Sequence, residues 1–146
     1  MEEPTIQDLQ DQIVEDLSYF DSWDDKYQYI IDLGKHLAPL ADQYKVDANI
    51  IKGCQSNVWL TCSLENDKII YQADSDAIIS KGLVSMLIKV LSGHTPDEIL
   101  NTEITFLDKV GMKQHLSPTR SNGLSAMLKQ MKLYALAYKS KMANKI

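Results

Sequence analysis

Apolar residues recur at three- and four-residue steps from the start of the chain, at Ile6, Leu9, Ile13, Leu17 and Phe20. That spacing predicts a helix with one buried stripe, and Thr5 is placed to cap it. Ser22-Trp23-Asp24-Asp25 has the form of a capping box, with Ser22 at the cap and Asp25 at the third helical position. Tyr27, Ile30, Ile31 and Leu37 then follow on one side of a second helix that ends before Pro39. Gly34 interrupts this helix at a cost of ~1 kcal/mol relative to Ala, which a close helix contact would account for. Residues 38–53 show no clean period, although Leu40, Tyr44, Val46, Ile50 and Ile51 can hold them against a core. An ordered connection with one helical turn is expected there.

The period then changes to two. Val58, Leu60, Cys62 and Leu64 alternate with Trp59, Thr61 and Ser63, the signature of a strand with one buried face. Glu65-Asn66-Asp67-Lys68 supplies a turn, and Ile69-Ile70-Tyr71-Gln72-Ala73 returns as a second strand. Asp74-Ser75-Asp76 closes that strand and caps a helix in which Ile79, Leu83, Met86, Leu87 and Val90 face inward before Gly93. Thr95-Pro96-Asp97-Glu98 starts a short helix running to about Asn101. Ile104 and Phe106 suit a short edge strand or an extended stretch, residues 107–110 a helical turn ending at Gly111, and residues 112–117 a loop carrying His115. Ser117 and Pro118 open a last helix whose stripe is Leu124, Met127, Leu128, Met131, Ala135 and Tyr138, continuing to near Met142. Its methionines read as core filler.

With 146 residues and 45% hydrophobic content, the chain is expected to form one domain over residues 1–146. The net charge of -5 conceals an asymmetry: no Lys or Arg precedes Lys26, whereas every charged residue after Asp108 is basic. The expectation is an acidic first helix lying near a basic last helix. Lys129, Lys132, Lys139, Lys141 and Lys145 make a basic strip, but no aromatic base-stacking strand accompanies it, which argues against nucleic acid as a partner. The start Met1-Glu2-Glu3-Pro4 is acidic, and no apolar stretch approaches the ~20 residues that span a bilayer. A cytoplasmic protein without a membrane partner is expected. Cys54 and Cys62 should then be free thiols, and with His36, His94 and His115 they show no CxxC or HxxxH spacing for a metal.

Cys54 stands out by position. Gly53 permits a sharp turn just before it, and Gln55, Ser56 and Asn57 can satisfy loop backbone atoms. A free thiol with a pKa of ~8.5 is only a few per cent ionised at neutral pH, and Lys52 is the sole charged neighbour in sequence. From these residues alone an inert buried cysteine remains open. Cys62 falls on the apolar face of its strand and reads as core. An antiparallel hairpin brings Asp74 and Asp76 beside the Cys54 loop. Capping accounts for one of them, and the other is assigned to hydrogen-bond the loop and set how exposed the thiol is. A nearby carboxylate raises a thiol pKa, so neither is cast as an activator. His115 would act as a base only if folded back to Cys54.

Gly53-Cys54-Gln55-Ser56-x-Val58-Trp59 closely resembles the active-site loop of the SufE/CsdE family of sulfur-acceptor proteins. The neighbouring segments agree: Trp23-x-x-Lys26-Tyr27-x-Tyr29-Ile30-Ile31-x-Leu33-Gly34, Asp74-Ser75-Asp76-Ala77 with Lys81-Gly82-Leu83, Thr95-Pro96, and Gln114-His115-Leu116-x-Pro118-x-Arg120-Ser121-x-Gly123-Leu124-x-Ala126-Met127. Ala73 departs from the pattern, standing where many relatives have glycine. The resemblance implies an α+β fold of the SufE/IscU-like kind, a small antiparallel sheet built on a central hairpin and covered by helices. It implies that Cys54 accepts sulfur from the persulfide of a cysteine desulfurase of the SufS/CsdA kind, stimulates that enzyme and passes sulfur to a cluster scaffold. Any pyridoxal phosphate belongs to the desulfurase, and no cofactor or metal to this chain. Gly53, Gln55, Ser56, Asp74, Asp76, His115 and Arg120 are the loop-positioning residues of that reading. Arg120 either pins loop carbonyls or a hairpin aspartate, or forms a plain surface ion pair. Cys54 is expected to be sheltered, with Val58, Trp59 and the hairpin's apolar face forming its pocket. Two other functions are compatible with the residues: a noncatalytic adaptor that docks on a desulfurase, and a Cys54-His115 thiol hydrolase.

Overall fold

The computed structural model describes residues 3–143, so Met1, Glu2 and Lys145 lie outside the described residues. The first helix, α1 (Ile6–Ser18), starts in a reciprocal capping box between Thr5 and Asp8 and buries Ile6, Ile13 and Leu17. In α2 (Trp23–Lys35) the Ser22 hydroxyl accepts from the Asp25 amide. Two single 3₁₀ turns (Asp42–Tyr44 and Asp47–Asn49) occupy the connection where one turn was expected.

Strands β1 (Val58–Glu65) and β2 (Lys68–Ser75) pair antiparallel from Val58↔Ser75 to Glu65↔Lys68. Asn66 and Asp67 both have positive φ at the turn, the geometry that matches the twist of a tight hairpin. β2 runs two residues further than the apolar alternation implied, which places Asp74 inside the sheet. The expected cap is therefore absent: α3 (Ile78–Leu91) begins after Ala77 with no side-chain cap, because Asp74 and Asp76 are engaged elsewhere.

Helix α3 is the centre of the molecule, with Leu83, Val84, Met86, Leu87, Val90 and Leu91 all buried. It packs on β2, α1, α2 and α7 (Pro118–Ala143). Its crossing with α2 depends on Gly34 and Gly82. A Cβ on Gly34 would stand 2.8 Å from the Gly82 amide nitrogen, and one on Gly82 would overlap the Ile30 carbonyl. This explains the glycine inside the second helix. Ser85 reinforces the crossing by donating to the Leu33 carbonyl at 2.9 Å.

Beyond α3, α4 (Pro96–Asn101) has the Thr95/Glu98 capping box that its sequence predicts. Ile104 and Phe106 form no strand. Phe106 opens α5 (Phe106–Lys109) as a buried core residue, and the Thr105 and Phe106 amides donate to the buried Gln10 side chain at 2.8 and 3.2 Å. His115 ends a further short helix, α6 (Met112–His115), where a loop was expected, following Gly111 in the left-handed conformation. The long α7 buries Gly123, Leu124, Met127, Met131 and Ala135.

The expected electrostatic pairing of the first and last helices is not formed. Among the described residues no ion pair joins α1 to α7, and Lys139 instead pairs with Asp97 of α4 at 2.9 Å. No helix among the described residues is long and apolar enough to cross a membrane.

Gly82→Ala should destabilise the protein by about 2 kcal/mol, because the steric cost at the crossing exceeds the ~1 kcal/mol that Ala gains over Gly in a helix. Urea denaturation should show a lower midpoint at unchanged slope; a raised midpoint would contradict this packing.

Candidate functional site

The loop of residues 52–57 is drawn closed at its neck. The Ile51 amide donates to the Val58 carbonyl at 2.9 Å, and Ile50 bridges to Trp59. Gly53 turns the chain with φ +100°, a region that L side chains rarely adopt, and its α-carbon lies close to Ala126 of α7. The hairpin register sets Asn57 across from Asp76. The Asp76 carboxylate accepts from the Asn57 amide at 3.1 Å and from its Nδ2 at 2.9 Å. In return the Asn57 carbonyl accepts from the Ser75 hydroxyl at 2.8 Å and from the Asp76 amide at 3.3 Å. Ser56 and Ser80 share a hydroxyl–hydroxyl bond at 2.8 Å, tying the loop to the first turn of α3.

This places the Cys54 thiol in a cavity of about 270 Å³ between two helix starts. Residues 77–80 form one wall, and Thr119, Arg120 and Gly123 of α7 form the other, with Leu83 and Met127 beneath. Cys54 Sγ lies 3.6 Å from the Gly123 carbonyl, to which its S–H donates. Ile78 is 68% exposed at the rim. The thiol is half-buried, as shelter requires, but the wall is not the expected one. Val58 points into the core, and Trp59 faces away to lie under the Lys45 ammonium.

Burial pushes the Cys54 thiol above the ordinary thiol range. The free protein therefore holds Cys54 as a neutral thiol at physiological pH. The start of α3, which has no side-chain cap, nonetheless lines the same cavity with residues 77–80, and the positive end of a helix dipole favours negative charge that forms beside it.

The two hairpin aspartates have separate tasks. Asp76 holds the loop. Asp74 is buried and accepts from the Ser75 amide at 2.8 Å and the Leu40 amide at 3.3 Å, with Lys45 at 3.3 Å and Lys81 at 3.4 Å. Burial alone would raise its pKa, but these two amides and two cations outweigh it and hold the carboxyl below its usual value. Asp74 thus fastens the long connection and α3 to the sheet rather than touching the loop. Ala73 is buried in the sheet opposite Leu60, so its methyl faces the core.

The remaining expected residues divide. Gln55 and Arg120 are exposed and line the cavity, and among the described residues the Arg120 side chain makes neither an ion pair nor a hydrogen bond, so it pins neither loop carbonyls nor a hairpin aspartate and forms no surface pair. His115 does not line it. Its ring stacks on Trp23 at 4.0 Å, and its carbonyl accepts from the Tyr27 hydroxyl. Sequence reasoning gave Asn57 a loop role but not its pairing with Asp76, and it did not place Ser80 and Gly123 in the site. The polar Asn57 directly before a strand was a usable signal and Gly123 stood within the motif that resembles the family, whereas nothing local marks Ser80.

A family model described as SufE, Fe-S metabolism associated domain, matches residues 11–135. An uncharacterised SufE-like protein of Rhizobium meliloti (strain 1021) is 38% identical over 129 residues, covering 84% of this chain and 91% of that protein. The solution structure of a hypothetical protein from Thermus thermophilus superposes with a TM-score of 0.75 at 17% identity, covering 90% of this chain and 96% of the other. At that identity the likeness is one of fold.

Two outcomes follow from this geometry. The alkylation rate of Cys54 by iodoacetamide should rise with pH through a midpoint above that of a solvent-exposed thiol, since burial disfavours the thiolate. Asp76→Ala removes two hydrogen bonds worth about 1 kcal/mol each and should speed that alkylation about tenfold at fixed pH. An ordinary midpoint, or a rate unchanged by the substitution, would show that the loop is not held as described.

Proposed function

The chain belongs to the SufE family of Fe-S metabolism associated domains, and on that premise we propose that it is a sulfur acceptor working through Cys54. The observation that carries this reading is a half-buried thiol held by a clamped loop in a cavity open to solvent, beside an unpaired cation. The reaction is thiol exchange. Cys54 sulfur attacks the terminal sulfur of a persulfide on a cysteine desulfurase, and the donor's S–S bond breaks as the new one forms. The donor cysteine departs as a thiolate and takes up the proton given by Cys54. Cys54 is left as a persulfide, the donor as a thiol, and no external oxidant or reductant is consumed.

Each residue of the site has a part in this step. Gly53 and the Asp76–Asn57 pair set where the sulfur sits, and Ser56 anchors the loop to α3. Arg120 and the first turn of α3 face the negative charge that develops on the two sulfurs, in a cavity where water screens it less than in bulk. Shelter protects the persulfide from cytoplasmic reductants. Burial disfavours the Cys54 thiolate in the free protein, so the thiolate forms more readily once positive charge stands beside the sulfur. The pyridoxal phosphate chemistry that makes the donor persulfide belongs to the desulfurase, and the sulfur goes on to a cluster scaffold. The hydrolase alternative gains nothing from the structure, since His115 is engaged with Trp23.

Cys54→Ser separates the carrier from the adaptor. With its cognate desulfurase, the variant should bind with wild-type affinity yet lose stimulation of cysteine turnover. Full stimulation by Cys54→Ser would make the protein an adaptor and overturn sulfur acceptance.

A further inference from the structure

The exposed side of α7 carries a surface that the sulfur-transfer site does not use. Leu100 of α4 with Leu128, Leu133 and Leu136 of α7 line a largely apolar groove of about 390 Å³. Leu133 and Leu136 are 46% and 51% exposed, although each occupies a helix whose opposite face is fully buried. Lys129 and Lys132 flank the leucines, and neither forms an ion pair among the described residues. Lys139 and Asp97 pair between the same two helices.

The groove borders a second depression that reaches the Cys54 loop. This depression, of about 570 Å³, runs from Ile51 and Lys52 past Ala126 to Lys129 and Leu133, so these last two residues line both. Lys52 and Ala126 are in turn immediate neighbours of the loop, Ala126 lying against Gly53. Along α7, Leu133 is about 15 Å beyond Gly123, at ~1.5 Å per residue. A standard interface covers about 800 Å² on each partner, equivalent to a disc of about 16 Å radius. A protein that delivers sulfur to Cys54 therefore reaches Leu133 if its footprint extends toward this side.

We propose that this face of α7 is a docking surface for the sulfur donor, and that the donor presents to it an apolar side chain ringed by carboxylates. The inference rests on the sulfur-acceptor reading and names the chemistry of the partner. The leucine groove takes the apolar residue. Lys52, Lys129 and Lys132 meet the carboxylates, with Asp47 the one acidic side chain lining the connecting depression. In a chain whose net charge is -5, such a group of lysines, none of them in an ion pair among the described residues, around exposed leucines is a local reversal of sign. A second copy docked twofold on the same face would bring two lysine-flanked patches together, which like charge disfavours.

The test compares the unaltered protein with Leu133→Asp/Leu136→Asp and Lys129→Glu/Lys132→Glu double variants. Affinity for the cognate desulfurase is measured by calorimetry at low and physiological salt. Both variants should bind about tenfold or more weakly, and charge reversal should remove much of the salt dependence. Their Cys54 should still react with a low-molecular-weight persulfide at the wild-type rate. The lysine variant touches only surface charge, so it decides the matter even if the leucine variant loses stability. If the unaltered protein binds and accepts sulfur while both variants match it, the docking face is overturned alone. If the unaltered protein neither binds nor accepts sulfur, the acceptor reading falls and this surface with it.

Discussion

The register of one hairpin determines the site. Pairing Val58 with Ser75 sets Asn57 against Asp76 at the open end of the ladder, so the loop bearing Cys54 and the first turn of α3 leave the sheet side by side. A slip of one residue would turn every strand side chain to the opposite face and move Val58 and Leu60 out of the core. The buried face therefore enforces the register, and the register in turn enforces the position of the thiol. The Gly34–Gly82 crossing does the same work from the other side, holding α3 so close to α2 that its first turn has one place to go.

On the proposed sulfur-acceptor reading, the arrangement resolves a conflict between protection and reactivity. A carrier's sulfur must be kept from stray thiols, yet burial disfavours the thiolate on which the chemistry depends. In this chain the cost falls on the resting state, where Cys54 is neutral and donates to the Gly123 carbonyl. Groups suited to negative charge, Arg120 and the uncapped start of α3, already line the cavity. Binding that orders the rim and excludes water strengthens their effect without any new residue.

Much of this was legible in the chain before its fold. The amphipathic periods located α1, α2, α3 and α7, and strict alternation located the hairpin, because burial on one face leaves a repeat in sequence. The loop bearing Cys54 was recognisable from Gly53 to Trp59. What stayed hidden was tertiary. One of Asp74 and Asp76 read as a cap because acidic residues before a helix usually are, yet the ladder continues through Asp74, which binds Leu40, Lys45 and Lys81, and Asp76 holds Asn57. Phe106 alternated with Ile104 like a strand residue, but Gln10 from α1 captures the backbone there. The pocket was sought along the hairpin face. It is made instead by residues distant in sequence, Ser80 and Gly123, whose role only the packing of α3 and α7 reveals.

The central claim is that sulfur rests on Cys54. Its most direct test is intact mass followed by peptide mapping, after the protein is mixed with a cognate desulfurase and free cysteine. The account predicts a gain of one sulfur atom on the peptide containing Cys54, removed by reductant, with the Cys62 peptide unchanged. Sulfur found on Cys62, or none on either peptide while the desulfurase turns over, would contradict it.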